Sequence, residues 1–143
     1  MINISKIKDI REDNDINQET MATILGVNRS TYSLWELGIN IIPLKNLCDF
    51  ADYFNLSIDY VLGLTNSKND NLIKGLDIKT LGLNMKTLRI KNNLSQENIA
   101  HILGVTQACI TRYEKGIIYI STPNLYEFAK YFKVSINELC GKK

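Results

Sequence analysis

The chain is poor in the residues that most catalytic chemistry needs. It holds a single histidine, His101, in 143 residues. No Ser/His/Asp set, no glycine-rich phosphate loop and no cluster of metal ligands can be found in it, so neither an enzyme nor a bound cofactor or metal is expected. Cysteine occurs only as Cys48, Cys109 and Cys140, with no C-x-x-C spacing. That odd, scattered set argues against a disulfide framework and a zinc site, and fits a reducing cytosol. No apolar run approaches the length of a membrane span. The opening residues, Met1-Ile2-Asn3-Ile4-Ser5-Lys6, lack the apolar core of a signal peptide. A cytoplasmic protein with no membrane partner is the expectation. Period-two alternation, the mark of a half-buried strand, is also missing.

What the chain does have is a repeat. Gln18-Glu19-x-x-Ala22-x-Ile24-Leu25-Gly26-Val27 returns as Gln96-Glu97-x-x-Ala100-x-Ile102-Leu103-Gly104-Val105, a displacement of 78 residues. Without a gap, the same displacement relates Arg11 to Arg89 and Glu36-x-Gly38 to Glu114-x-Gly116. It also relates Asn46-Leu47-x-x-Phe50-Ala51-x-Tyr53-Phe54 to Asn124-Leu125-x-x-Phe128-Ala129-x-Tyr131-Phe132. Of the 60 positions in register, 23 are identical. The period is too long for a solenoid unit and suits a small duplicated domain. We place the first domain at 1–66, a linker at 67–78 and the second domain at 79–143. Each is near the lower size limit for an independent core.

The net charge of +2 is unevenly spread. Residues 1–66 carry five Lys/Arg against nine Asp/Glu, a balance of −4, and residues 79–143 carry ten against four, a balance of +6. Phosphate binding is largely electrostatic, which makes the second copy the better partner for a polyanion.

Apolar residues recur at helical spacing in both copies. In the first, Ile4, Ile7 and Ile10 form a stripe that ends at the turn Asp13-Asn14-Asp15. Asn17 caps a second helix that Gly26 stops, and Asn28 caps a third that Gly38 stops. Pro43 opens a fourth, with Leu44, Leu47, Phe50, Ala51 and Phe54 on one face. Ser57 caps a fifth, Ile58 to Leu62. In the second copy, Met85, Leu88 and Arg89 fall on helix one. Ser95, Thr106 and Ser135 cap helices two, three and five, and helix four runs from Asn124 to Phe132. Each domain thus reads as five short helices. The join, from Thr65 to about Lys79, is polar and then partly apolar. A flexible segment of its length has a root-mean-square reach of roughly 20 Å and extends to about 50 Å. Successive major grooves on one face of B-DNA lie about 34 Å apart, so both domains could touch one duplex unless the apolar half of the join docks.

Helix, glycine turn and helix, the second helix capped by Asn28 or Thr106 and ended by [Trp/Tyr]-Glu-x-Gly, form a helix-turn-helix. The chain here resembles the lambda-repressor/Cro-like, or XRE-type, family, over about 4–63 and 82–141. The resemblance implies an all-α fold of two tandem five-helix domains. It implies double-stranded DNA as partner, sequence-specific transcriptional regulation, and most often repression. Small Ala22 and Ala100 allow helices two and three to cross closely, and Gly26 and Gly104 permit the tight turn.

Carried over position by position, the family pattern puts Gln18 and Gln96 at phosphates, together with Asn28 and Thr106. Arg29, Ser30 and Leu34 face base edges in copy one. Gln107, Ala108 and Arg112 do so in copy two, with Ser33 and Thr111 alongside and Lys115 at the end of the helix. A glutamine can pair bidentately with adenine and an arginine with guanine, while an alanine can meet a thymine methyl. Leu34, standing where copy two has Arg112, offers apolar contact alone, so copy two is expected to carry more of the specificity. The family uses Arg11 with Glu36, and Arg89 with Glu114, as internal ion bridges between helices one and three.

Two features pull away from that reading. The loops Ile39-Asn40-Ile41-Ile42 and Ile117-Ile118-Tyr119-Ile120 are apolar where the family is often polar or basic. They suit a homodimer or protein-partner surface, a cover for the linker, or plain local packing. The charge split and Leu34 also allow an alternative in which only the second domain grips DNA and the acidic first domain mediates dimerisation or binds a protein.

Overall fold

The structure, a computed structural model, describes residues 4–68 and 75–141. These residues form ten helices and no strand. In the first repeat they are α1 (Lys6–Asp13), α2 (Gln18–Leu25), α3 (Arg29–Glu36), α4 (Leu44–Tyr53) and α5 (Ile58–Val61). In the second they are α6 (Ile78–Lys91), α7 (Gln96–Leu103), α8 (Gln107–Glu114), α9 (Thr122–Phe132) and α10 (Ile136–Leu139). The chain divides into two compact units, Met1–Asp70 and Asn71–Lys143.

Local chemistry sets the helix starts. The side-chain oxygen of Asn17 accepts from the Thr20 amide at 2.8 Å, and that of Asn28 from the Thr31 amide at 2.8 Å. Ser95 and Asn98 exchange bonds of 2.9 and 3.0 Å, a reciprocal cap for α7. Each cap satisfies an amide that has no partner within its helix and stabilises by about 1 kcal/mol. The turns depend on backbone freedom. Gly26 and Gly104 adopt φ of 73° and 70°, which lets the Val27 amide reach the Ala22 carbonyl at 2.9 Å and the Val105 amide reach that of Ala100 at 3.0 Å. The left-handed positions repeat too: Asp15 matches Asn93, and Asn55 matches Lys133, all with φ of 55° or 56°. Lys133 alone among them lacks a short polar side chain suited to that conformation.

The two cores superimpose in sequence. Ile7, Met21, Tyr32, Ile42, Leu47, Phe50 and Ile58 are fully buried in the first unit. Met85, Ile99, Ile110, Ile120, Leu125, Phe128 and Ile136 occupy the same register positions in the second. Each such side chain contributes about 1.5–3 kcal/mol of burial. Ala22 and Ala100 are buried, as close packing of α2 on α3 and of α7 on α8 requires. Trp35 and Tyr113 also lie inside.

Several boundaries differ from the expectation. Ile4 precedes α1, which begins at Lys6. Pro43 stands ahead of α4 in extended backbone, and Leu62 follows α5 as its cap. Helix four of the second unit begins at Thr122, two residues before Asn124, because Ser121 caps it and Pro123 suits its first turn. The linker expectation covers 67–78. The Ser57 amide donates to the Lys68 carbonyl at 2.7 Å, holding that residue to the first unit, and Ile78 opens α6. The remainder of that assignment falls largely on 69–74, outside the described residues. Ile42 and Ile120, grouped with the exposed loops, are core residues. Ile39, Ile41, Ile117, Ile118 and Tyr119 remain exposed.

Candidate nucleic-acid interface

In each unit an arginine of the first helix reaches the last residue of the third. Arg11 donates through Nε to Glu36 Oε2 at 2.7 Å and through Nη2 to Oε1 at 3.1 Å. Its Nη1 donates to the Ile16 carbonyl at 2.7 Å. Arg89 repeats this with Glu114 at 2.6 and 3.0 Å, and with the Leu94 carbonyl at 2.9 Å. The two glutamate side chains are 3% and 4% exposed, so each charge depends on its arginine. Burial alone would push the Glu36 carboxyl up. The bonds from Arg11, the nearness of the Tyr32 hydroxyl and the bond from Gln18 outweigh it and hold the carboxyl below the usual glutamate range. The Glu36 carboxylate, against the cost of burial, holds the Arg11 guanidinium above its ordinary value. The Tyr32 hydroxyl is buried beside this pair without a hydrogen bond of full geometry. Burial, and then the Glu36 carboxylate, push its pKa well above the phenol range. In the second unit Ile110 takes that place.

The glutamines that open the second helices extend these networks toward the surface. Gln18 donates to Glu36 Oε1 at 3.0 Å, and Gln96 to Glu114 Oε1 at 3.0 Å. The Gln96 oxygen then accepts from the Thr111 hydroxyl at 2.8 Å and from the Gln107 amide at 3.4 Å. A continuous polar path therefore runs from Arg89 inside to Gln107 outside. Among the described residues Ser33, the counterpart of Thr111, makes no matching bond to Gln18. This coupling was invisible in the sequence. Its signal, the co-occurrence of Gln96, Gln107 and Thr111, acquires meaning once α7 and α8 cross.

The remaining candidates divide by exposure. Arg29 and Ser30 are exposed on α3, while Ser33 and Leu34 are half-buried. Gln107, Ala108, Arg112 and Lys115 are exposed on or just after α8, with Thr111 half-buried among them. Asn28 and Thr106 spend a side-chain oxygen capping α3 and α8, Thr106 at 3.2 Å from the Cys109 amide. Cys109 is half-buried, its sulfur 3.7 Å from the Tyr113 hydroxyl. Burial, and then this thiol, raise the pKa of Tyr113. The α8 face combines an amide and two cations on a helix whose N-terminus carries partial positive charge, an arrangement that favours anions. On α3 and its end, Leu34 and Leu37 replace Arg112 and Lys115, and Leu37 is 68% exposed. Among the described residues no group of His, Cys, Asp and Glu could hold a metal ion, and no helix is long and apolar enough to cross a membrane.

Two tandem helix-turn-helix units define the class. A helix-turn-helix family model matches residues 7–61 and again 85–139, and the chain belongs to that family, of the XRE type. The cryptic phage CTXphi transcriptional repressor RstR of Vibrio cholerae is 30% identical over 49% of this chain and 63% of its own length. The HTH-type transcriptional regulator YobD of Bacillus subtilis is 30% identical over 42% of this chain and 54% of its own. The chain thus spans little more than half the length of these curated relatives. Among solved structures, the restriction-modification controller protein C.AhdI of Aeromonas hydrophila shares 27% identity over 44% of this chain and 96% of its own, with a TM-score of 0.41.

Proposed function

We propose that this chain is a sequence-specific double-stranded DNA-binding transcriptional regulator, of repressor type, that lays the third helix of each unit in the major groove. The observation that carries the reading is α8. Its outer face offers Gln107, Ala108 and Arg112 together, while Glu114 and Gln96 anchor its inner face to the core. An amide and a guanidinium side by side suit adenine and guanine edges. In this reading Lys115, Gln96 and Thr106 meet phosphates, as do Gln18 and Asn28 in the first unit. Arg29 and Ser30 give the first unit a smaller reading face, with Ser33 and Leu34 at its edge. Two reading units on one chain raise each other's effective concentration at neighbouring half-sites. The repressor assignment draws on the likeness to RstR.

Selection of duplexes from a random pool on the intact chain tests this reading. A defined motif is expected. Replacing Gln107 and Arg112 together by alanine should abolish protection of part of it, and a footprint that survives the double change defeats the assignment. Lys115→Ala should lower the salt dependence of binding by about one unit of slope without relaxing sequence preference.

A second reading is favoured by the exposed Leu37, Ile39 and Ile41 beside half-buried Leu34. In it the first unit is a self-association or protein-binding module, with the exposed residues of the loop at 39–42 in its surface, and α8 alone grips DNA. Installing the second unit's cations in the first, Leu34→Arg with Leu37→Lys, separates the two. Sedimentation should show loss of self-association under the second reading and no change under the first.

A further inference from the structure

The first helix of the second unit is not a copy of its counterpart. α1 has eight residues and α6 has fourteen. In the 78-residue register Lys6 pairs with Asn84, so Ile78 to Leu83 is an addition at the N-terminal end. Asp77 starts it, accepting from the Lys79 amide at 3.1 Å and from the Thr80 hydroxyl at 2.7 Å.

The added turns lie on the ends of α8 and α10. At Gly82 the backbones of α6 and α8 touch: a Cβ there would stand 2.3 Å from the Tyr113 carbonyl oxygen and 2.8 Å from that of Glu114. At Gly116, just past α8, a Cβ would meet the Lys79 Cα at 2.9 Å, and at Gly141, just past α10, the Thr80 methyl at 2.9 Å. Asn84 donates to the Leu139 carbonyl at 2.9 Å, satisfying an acceptor that the end of α10 leaves open. Leu81 and Met85 are buried on the same side. The matching glycines of the first unit, Gly38 and Gly63, have open space around them among the described residues.

We propose that residues 77–84 form a clamp that positions the recognition helix of the second unit. The contact falls on Tyr113 and Glu114, which seat the C-terminal end of α8. A small displacement there tilts the whole eight-residue rod and moves Gln107 and Arg112 at the surface. Bidentate base contacts tolerate little misplacement. Gly82, Thr80 and Asn84 are positioning residues in this scheme, touching no base themselves. The inference rests on the reading that α8 contacts DNA.

The test uses the full chain, with a duplex selected by the unaltered protein and a second duplex changed at the base pairs that Gln107 and Arg112 protect. Gly82→Ala should remain folded by circular dichroism. It should bind the selected duplex roughly 10-fold more weakly, and discriminate less between the two duplexes. A general loss of stability would leave that discrimination intact. A folded variant with unchanged affinity and discrimination overturns the proposal. Should Gly82→Ala not fold, Asp77→Ala, which removes the cap of the extension and leaves Thr80 in place, decides on the same criteria. Failure of the parent reading is recognisable separately, because the unaltered chain would then select no duplex. In that case amide exchange decides: the last turn of α8 should exchange faster in the variant while α7 does not, and equal rates overturn the clamp.

Discussion

Gln96 donates its side-chain amide to Glu114 Oε1 at 3.0 Å, and so the first residue of α7 is tied to the buried carboxylate that ends α8. The same glutamine accepts from Thr111 at 2.8 Å. It thus fixes both the direction of its own amide and the relation of α7 to α8. Replacing it by alanine should cost about 1.5 kcal/mol, since the bond lost is to a charged group but the site is only half-buried. Urea unfolding of the chain measures this. A stability unchanged within about 0.3 kcal/mol would show that water replaces the amide at no cost, contrary to the argument.

Arg11 and Glu36 form a buried pair whose breakage is asymmetric in cost. Arg11→Ala leaves a carboxylate whose side chain is 3% exposed without its counter-ion. The expected loss is about 3–5 kcal/mol, a large part of the stability of so small a unit. In two-dimensional NMR, resonances of residues in the first unit should collapse to unfolded positions while those of the second persist. Changing both partners to apolar residues of similar volume should recover much of the loss. Retention of all first-unit resonances in Arg11→Ala contradicts the structural role.

Acid should weaken the first unit through the same pair. The folded state holds Glu36 below the ordinary glutamate value, which is about 4.3 in the unfolded chain. A lowered folded value means that the unfolded state takes up its proton first. The stabilisation is therefore complete above pH of about 4.3 and is lost as pH falls further, through the folded value. Thermal midpoints of the intact chain and of Glu36→Gln, compared from neutrality downward, should converge below that point. A constant gap across the range would assign the effect elsewhere.

Much of the architecture was legible before any coordinate. Asn17, Asn28, Ser57, Ser95, Thr106 and Ser135 announce helix starts because their short polar side chains satisfy amides that nothing else in the helix can reach. Gly26 and Gly104 announce turns because their φ near 70° is costly for any residue with a Cβ. The burial of Ile42 and Ile120 within their loops is not legible, since an apolar run outside a helix has no period to separate its buried member from its exposed ones. Helix four of the second unit starts earlier than Asn124 because the Ser121 side chain caps it and Pro123 is accepted in a first turn, where its missing amide is not needed.

The sequence by itself determined the duplication, the helical class and the two turns. Each of those depends on neighbours within a few positions or on comparison of the chain with itself. Only the tertiary structure decided that Gln96 joins a buried carboxylate to Gln107, that Tyr32 buries a hydroxyl where Ile110 has none, and that Gly82 must be small because α6 rests on the carbonyls of α8. Contacts across tens of residues arise from how helices cross, and the crossing is set by the summed shape of the core, which no short stretch of sequence records.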